Sequence, residues 1–284
     1  MPKRSQSTTS VLSFIAQDHD SQEPVYANAD VLKAHKAREV IAFVDYWEAL
    51  TGAVPSPLVF DSQLTTYDIL DELSARGITW LTLRKRGRGE IERLQALPAK
   101  AWSRVRVNRA GRYRNPHLYD ETIQLDQIAH PVRQIAIKNI GRDKPTLAIT
   151  NDHDTTAKQI FTRYAERMLI ENELAYLIAG FHLDALSSGL ALNVDLDTTL
   201  TVAAANLYRL FARRLPRYER AQPERLHRDF INVDGTIHID HDSVTVEINP
   251  RTYSPALLDV GYHTLETPIP WWNNRPLRFT FPPR

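Results

Sequence analysis

The order of apolar and amphipathic segments in the first third of the chain is what most limits its fold. Short apolar runs at 10–16, 23–27, 58–60 and 78–83 indicate strands, while 31–50 and 67–75 carry apolar residues at helical spacing. The order strand, strand, helix, strand, helix, strand is typical of an α/β sheet. We therefore predict an α/β fold in which the first two strands form a hairpin about the polar turn at 18–21.

The pattern changes after residue 100. Valines and isoleucines alternate with polar residues between 101 and 143, which predicts an antiparallel all-β insertion. Beyond it we predict a strand at 146–150, one long helix at 156–178 capped by Asp154 or Thr155, and an apolar helix at 198–214. The predicted domains are the first part of the core at 10–100, the insertion at 101–143, the second part of the core at 144–215, and a C-terminal segment at 216–284. That last segment is predicted to hold a hairpin turning at Asp234-Gly235 and an irregular tail rich in proline and tryptophan.

Composition excludes several classes of protein. The chain has 284 residues and no cysteine, which leaves no disulfide framework and no thiolate metal site. It has no long apolar run of membrane-spanning length, and its first ten residues are polar, so we predict a cytoplasmic protein with no membrane segment. It also has no glycine-rich phosphate loop, and we therefore expect no nucleotide cofactor.

A basic stretch gives the first indication of a partner. The net charge is only +1, from 35 basic and 34 acidic residues. Residues 84–114, however, hold many more lysines and arginines than acids, and aromatic residues lie among them. Such a cluster is the electrostatic pattern expected of a protein that contacts a polyanion. Arg84 and Arg86, at the start of the stretch, are the predicted phosphate contacts, and a merely solvated surface strip is the alternative.

Three residues of the predicted long helix share a spacing that suits phosphodiester chemistry. Tyr164 and Arg167 are three apart and Glu171 follows after four more, so their directions nearly superpose at about 100° per residue. A carboxylate in such a row can hold a divalent metal, and the arginine and tyrosine can hold phosphate. An ordinary amphipathic helix with solvated charges is the alternative.

Asp61 is the second candidate acid because it directly follows the strand at 58–60. Functional side chains gather at the carboxyl ends of strands in open α/β sheets, although an aspartate in this position also serves as a helix N-cap. Asp61 and Glu171 together would form an oxygen-ligand site of the kind that binds Mg²⁺. Two such ions can activate a water and stabilise a leaving 3′ oxygen.

These features together resemble a known family. The order of elements, the row Tyr164, Arg167, Glu171 and the local sequences at 26–30, 59–66 and 77–84 look like the ribonuclease-H-like core of bacterial insertion-sequence DDE transposases. The branch concerned has a β-rich insertion and a Tyr-x2-Arg-x3-Glu signature. The resemblance implies that Asp61 and Glu171 are the second and third acids of the triad and ligands of Mg²⁺ or Mn²⁺. It implies that Tyr164 and Arg167 position DNA phosphate, and that the DNA partner is the terminal repeats of the element.

Two departures from the family pattern limit what the resemblance implies. The family carries its first catalytic aspartate on a strand before the hairpin, and no aspartate of this chain matches that position. Ile178 also stands where the family commonly has a lysine. We therefore expect a core that lacks its first strand, in an N-terminally truncated chain that is inactive by itself. Metal binding is expected only if the missing aspartate is supplied, and protein partners would be a second copy or a full-length transposase.

Three other functions stay open from the sequence. The first is a non-catalytic DNA-binding or regulatory fragment of a transposase. The second is a different metal-dependent nuclease on a similar core. The third is an interaction protein in which Arg167 and Glu171 merely pair on a helix surface. The acidic cluster Asp152-His153-Asp154 precedes a helix and is predicted to cap it and not to bind a metal.

Overall fold

The computed structural model describes residues 11–107, 115–141, 143–185 and 188–282. The chain forms an α/β structure with mixed sheets. It divides into two compact units, one of residues 1–16 and 28–172 and the other of residues 17–27 and 173–284. Within the described ranges, no helix is both long enough and apolar enough to cross a lipid bilayer.

The elements of both units follow one another along the chain with short connections. In chain order the strands and helices are β1 Phe14–Gln17, β2 Pro24–Asn28, α1 Glu39–Thr51, β3 Leu58–Val59, α2 Tyr67–Ala75, β4 Trp80–Leu83, α3 Arg88–Gln95, β5 Ser103–Arg104, β6 His117–Ile123, β7 Val132–Lys138, β8 Thr146–Thr150, α4 Ala157–Glu166, α5 Leu169–Phe181, α6 Ala191–Arg214, α7 Pro223–Leu226, β9 Gly235–Ile239, β10 Val244–Ile248, α8 Ser254–Asp259, β11 Thr267–Ile269 and β12 Arg275–Thr280.

The first unit is built on one six-stranded sheet with the order β3-β4-β8-β7-β6-β5. The strands β3 and β4 run parallel, and every other neighbouring pair is antiparallel. The predicted β insertion is therefore antiparallel as expected, but it is not a separate layer. It continues the core sheet, because β7 pairs with β8 and β8 pairs with β4.

Helices cover both faces of this sheet. On one face, α1 and α2 pack over Trp80 and Ile149 in the main core cluster, and Leu94 of α3 packs over Leu147. On the other face, α4 places Ile160 and Phe161 among the side chains of the sheet. Successive side chains of a strand point to opposite faces, so β8, buried at every position, contributes to both layers. A strand that is buried on both faces has no solvent-facing side, so apolar and polar residues do not alternate along its sequence.

Most predicted elements lie close to where the sequence placed them, and several of the differences concern their ends. The predicted helix at 67–75 and the strand at 146–150 match α2 and β8 residue for residue. The helix α1 begins at Glu39 after a short 3₁₀ turn, later than the predicted helical segment at 31–50. The side chain of Thr156, not Asp154 or Thr155, caps α4 in a capping box with Gln159.

In the second unit, α6 holds the turn of the N-terminal hairpin by its backbone carbonyls. Asn206 donates to the Pro24 carbonyl at 2.8 Å and Arg209 donates to the Gln22 carbonyl at 2.5 Å. Arg209 also pairs with the carboxylate of Glu173, whose side chain is only 1% exposed. Burial raises the pKa of Glu173, and the hydrogen bond from Arg209 opposes that rise. The ion pair with Arg209 compensates the burial of Glu173 Oε2, while Oε1 is buried with no hydrogen-bond partner among the described residues.

The C-terminal part of the second unit corrects two predictions. The strands β9 and β10 do form an antiparallel hairpin, but its turn lies at 240–243 and not at Asp234-Gly235. Gly235 instead begins β9, where a side chain would collide with the carbonyl oxygen of Glu247. The tail is not irregular, since β12 pairs in parallel with β10 and antiparallel with β11. Prolines in this region obscure the alternation of apolar and polar residues that indicates a strand. Such prolines are tolerated at the edges of sheets and at the ends of strands.

Replacing Leu73 by alanine tests the core of the first unit. Leu73 of α2 is fully buried in the main core cluster. We expect Leu73→Ala to lower the free energy of unfolding by about 2–5 kcal/mol, because it removes buried methyl groups and leaves a cavity. Leu50→Ala is the matched control, since Leu50 of α1 is 66% exposed and its loss should change stability by less than about 0.5 kcal/mol. Equal effects of the two substitutions in urea unfolding would contradict this packing.

Candidate functional site

Asp61 lies just beyond β3 and is held by its own loop. Its Oδ1 accepts a hydrogen bond from the Gln63 backbone N–H at 2.8 Å and so caps the 3₁₀ turn Ser62–Leu64. The hydroxyls of Thr65 and Thr82 are 2.5 Å apart, which ties the loop to β4. The capping role weighed as the alternative for Asp61 is therefore present. It occupies one of the two carboxylate oxygens.

The second oxygen of Asp61 faces Arg167. The Nη1 of Arg167 donates to Asp61 Oδ2 at 2.9 Å, between residues 106 positions apart. The Asp61 side chain is 41% exposed and that of Arg167 is 23% exposed, so the pair is open to solvent on one side. The guanidinium carbon of Arg167 also lies 5.2 Å from the ring centroid of Tyr164.

Sheet topology explains this meeting. The strand β8 is antiparallel to β4, and Thr150 at the end of β8 is paired with Leu81 near the start of β4. The chain therefore leaves β8 at the amino end of β4. The following helix α4, of ten residues and thus about 15 Å, packs its Ile160 on the sheet and runs back along it. Its last turn reaches the carboxyl end of β3, where Asp61 lies.

Glu171 does not continue the row of Tyr164 and Arg167. The predicted helix at 156–178 is broken, because α4 ends at Glu166 and α5 begins at Leu169. The N–H groups of Arg167 and Glu171 each donate to the carbonyl three residues before them. Three residues per turn means about 120° per residue instead of about 100°, so Glu171 rotates away from the line of the other two side chains. The sequence offered no warning, since neither glycine nor proline marks the break.

Glu171 instead lines a shallow groove. The residue is exposed, and the groove encloses about 360 Å³. The other residues along it are mostly apolar and come from α4, α5 and the strand region before them: Val107, Phe161, Thr162, Ala165, Glu166, Met168, Leu169 and Asn172. Asp61 is not one of the lining residues.

The donor set does not fit a two-metal centre. Both oxygens of Asp61 already accept hydrogen bonds, from Gln63 and from Arg167, and Asp61 is not among the residues that line the groove of Glu171. No cluster of three or more His, Asp or Glu side chains suited to a metal ion occurs among the residues that the structure describes. Mg²⁺ prefers several oxygen ligands in near-octahedral geometry, which a single capped and ion-paired carboxylate does not provide.

Arg84 is engaged inside the first unit. Its Nη1 donates to Gln134 Oε1 at 2.8 Å and lies 3.9 Å from the carboxylate of Glu90. The amide nitrogen of Gln134, a fully buried residue of β7, donates to Glu90 at 2.6 Å and to Glu121 at 2.9 Å. Arg93 closes the network by pairing with Glu90 and Glu121. This group of five residues, the Gln134 network, uses two of the cations that the sequence assigned to the basic stretch.

The Gln134 network was not predicted, yet the sequence carried a signal for it. Gln134 interrupts the apolar run of β7, and a buried amide must find partners for its donors and acceptor. The hydrogen bond from Arg93, opposed by burial and supported by Gln134 and Arg84, lowers the pKa of Glu90 below its ordinary value.

The exposed cations of the basic stretch lie on either side of this network. Lys85, Arg86, Lys100, Arg104 and Arg106 are exposed. Arg88 is exposed too but pairs with Glu92 at 2.8 Å. Of the two predicted phosphate contacts, Arg86 is therefore exposed, whereas Arg84 is half-buried and engaged in the Gln134 network. The remaining members Arg109, Arg112 and Arg114 lie outside the described residues.

The acidic cluster before α4 orders the loop that leads into the helix. Asp152 Oδ1 accepts from the N–H groups of Asp154 and Thr155 at 3.1 Å and 2.9 Å, and Arg163 lies 3.7 Å from its other oxygen. Burial opposes but does not prevent a lowered pKa of Asp152, because the bonds from Thr155 outweigh it. These contacts lie before the helix, whose N-cap is Thr156, so Asp152 orders the preceding loop and does not cap α4 as predicted.

Comparisons with known proteins give no family for this chain: no protein-family model matches it, and no curated protein sequence matches it.

A double-mutant cycle tests the contact between Asp61 and Arg167. We expect Asp61→Ala and Arg167→Ala to be coupled by about 0.2–1 kcal/mol in the free energy of unfolding, because the pair is partly exposed and screened. The pair Arg88 and Glu92, with side chains 93% and 61% exposed, is the matched control and should give about 0.3–0.5 kcal/mol or less. A coupling energy of zero for Asp61 and Arg167 would show that the contact does not form in solution.

The Gln134 network predicts an acid-dependent loss of stability. The pKa of Glu90 is lower in the folded chain than its ordinary value of 4.5, so its charged form stabilises the fold above that pH. This contribution is lost as the pH falls below 4.5 and through the folded-state pKa. We expect Glu90→Gln to flatten the pH dependence of urea unfolding in that window. Parallel curves for the two proteins between pH 7 and pH 3 would contradict the assignment.

Proposed function

We propose that this chain is a DNA-binding protein of the insertion-sequence DDE transposase type that does not cut DNA by itself. The observation that carries the proposal is the meeting of Asp61 and Arg167 at 2.9 Å across 106 positions. In the family that the sequence resembles, the acid after this strand and the helix with the Tyr-x2-Arg signature converge at one sheet edge. A chance match of the signature would not require that convergence.

The arrangement of strands supports a ribonuclease-H-like core as part of the proposal. A parallel pair, β3 and β4, has Asp61 just beyond its first strand, and helices pack on both faces of the sheet. An antiparallel insertion precedes the helix with the signature. The strand β3 is the outermost of the sheet, and its free side pairs with no other strand in the described ranges. A core without a central first strand would leave its edge there.

The state of Asp61 supports the non-catalytic part of the proposal. Phosphodiester cleavage by two metal ions needs carboxylates free to bind them. Asp61 is capped and ion-paired, and Glu171 lines a separate groove. Binding of Mg²⁺ or Mn²⁺ would require a third carboxylate and the release of Asp61 from Arg167. These residues therefore suit a protein that occupies the ends of an element, alone or with a second copy or a full-length transposase.

The exposed cations of the basic stretch would supply the DNA contacts. Arg104 and Arg106 lie at and beside β5, at the outer edge of the sheet, and Arg86 lies just after β4. All three are exposed, and lysines 85 and 100 lie near them along the chain. Such side chains bind phosphates by charge, without reading sequence. Arg84 is bound in the Gln134 network and would attract DNA only by its charge, without contacting a phosphate.

Salt-dependent DNA binding tests the proposal. We expect affinity for a duplex to fall steeply with salt, measured by fluorescence anisotropy between 50 and 200 mM salt. The variant Arg104→Gln with Arg106→Gln should reduce the slope of log affinity against log salt concentration by about 1.8. Each phosphate that an arginine no longer neutralises accounts for roughly 0.9 of this change. Arg217→Gln with Arg220→Gln is the matched control, since both arginines are exposed and lie in the second unit, and it should leave the slope unchanged.

A cleavage assay tests the non-catalytic part separately. The chain is incubated with supercoiled plasmid and with linear duplex in Mg²⁺ or Mn²⁺, and we expect no nicked product. Nicking that Asp61→Ala abolishes would overturn this part and leave the binding part intact. If instead there is no binding even at 50 mM salt, the DNA-binding proposal fails.

A further inference from the structure

The long helix of the second unit carries a row of exposed leucines. The helix α6, Ala191–Arg214, is 24 residues long. Five leucines in it are more than half exposed: Leu192 at 77%, Leu196 at 57%, Leu200 at 57%, Leu207 at 66% and Leu210 at 51%. Ala203, exposed as well, lies between Leu200 and Leu207. We call these six residues the leucine stripe.

The leucine stripe is one narrow face of the helix. Its members follow one another at intervals of four and three residues, with Ala203 filling the gap between the third and fourth leucines. At about 100° per residue they fall within an arc of about 80°. From Leu196 onward the intervals alternate between four and three, as they do along a coiled-coil seam, where each residue inserts between four residues of a facing helix.

The opposite face of the same helix is already buried. The residues concerned share the other side of α6 and are Val194, Thr198, Val202, Ala205 and Ala212. A surface helix usually has one apolar stripe and a polar outer face. This helix has apolar residues on two opposite faces, and only one of them is covered. Leaving five leucines in water along about 27 Å of helix is unfavourable, because apolar surface gains free energy when it is removed from water.

We propose that the leucine stripe pairs with the same stripe of a second copy of this chain, with the two helices antiparallel. In the register that faces Ala203 with Leu207 of the second copy, Leu200 faces Leu210 and Leu196 faces Arg214, while Leu192 lies beyond the paired segment. A small residue then meets a large one at the centre and two leucines meet beside it. Such alternation fills the space between two helices about 8–10 Å apart. The pairing is isologous, because each contact occurs twice about a two-fold axis.

Charge on the flanks selects the antiparallel direction. Asp197 is exposed in the first half of α6, and Arg214 is exposed at its end and in line with the leucine stripe. Antiparallel packing in this register brings Asp197 of each copy beside Arg214 of the other. Parallel packing would set Asp197 against Asp197 and Arg214 against Arg214. The neighbouring Arg213 is not needed, since it already pairs with Glu23 at 2.8 Å.

Sedimentation equilibrium of the full chain over a range of concentrations tests the pairing. We expect a monomer–dimer equilibrium. Leu200→Glu with Leu207→Glu should raise the dimer dissociation constant by at least about tenfold, because the seam then buries carboxylates. Leu50→Glu is the matched control, as Leu50 is also 66% exposed on a helix but lies in the first unit, and it should leave the constant unchanged. Circular dichroism of each variant checks that the fold is retained.

Charge reversal tests the direction independently. Asp197→Arg alone and Arg214→Asp alone should each weaken the dimer, and the two together in one chain should restore it. A monomer at every concentration overturns the proposal, as does a dimer that the double leucine variant leaves unchanged. Restoration that fails, with a dimer still disrupted by the leucine changes, overturns the antiparallel direction. None of these outcomes depends on DNA binding.

Discussion

The antiparallel pairing of β4 with β8 is the contact on which the first unit depends. It joins the parallel pair β3 and β4 to the antiparallel strands that follow, so that one sheet forms instead of two. Side chains reinforce it, since Thr150 donates to the Trp80 carbonyl at 2.6 Å and the Asn151 side chain bonds the backbone of both Trp80 and Ile78. The same pairing turns α4 back along the sheet and brings Arg167 to Asp61. The candidate site is therefore a consequence of strand order.

Buried polar and acidic groups decide which arginines of this protein are engaged in internal contacts. Two arginines of the basic stretch, the half-buried Arg84 and the exposed Arg93, are held by Gln134, Glu90 and Glu121, which need donors and counter-charges. In the second unit, Arg209 pairs with the buried Glu173 and donates to the Gln22 carbonyl of the hairpin, because these groups need a counter-charge and a donor. The cations left in solvent are the ones open to a polyanion. A count of lysines and arginines overestimates that surface, because it does not separate structural from free charge.

The candidate site shows which contacts could be predicted from local sequence patterns and which could not. Asp61 after a strand and Tyr164 with Arg167 near a helix end follow from apolar runs and spacing, and the structure brings Asp61 and Arg167 into contact. The row to Glu171 was extrapolated from ideal helix geometry and is wrong, because hydrogen bonds to the third preceding residue tighten the chain between α4 and α5. Nothing in residues 164–171 marks that turn. The metal site expected from Asp61 and Glu171 requires a third carboxylate and stays a prediction.

By itself the sequence determined the α/β class, the positions of most strands and helices, and the antiparallel nature of the insertion, because these follow from the period of apolar residues and from turn chemistry within short windows. Only the tertiary structure decided that the insertion extends the core sheet, that Arg84 is bound inward, and that Asp61 is held by Arg167. It also decided which face of α6 is covered. These depend on contacts between residues far apart in the chain, and helical or strand period alone does not specify them.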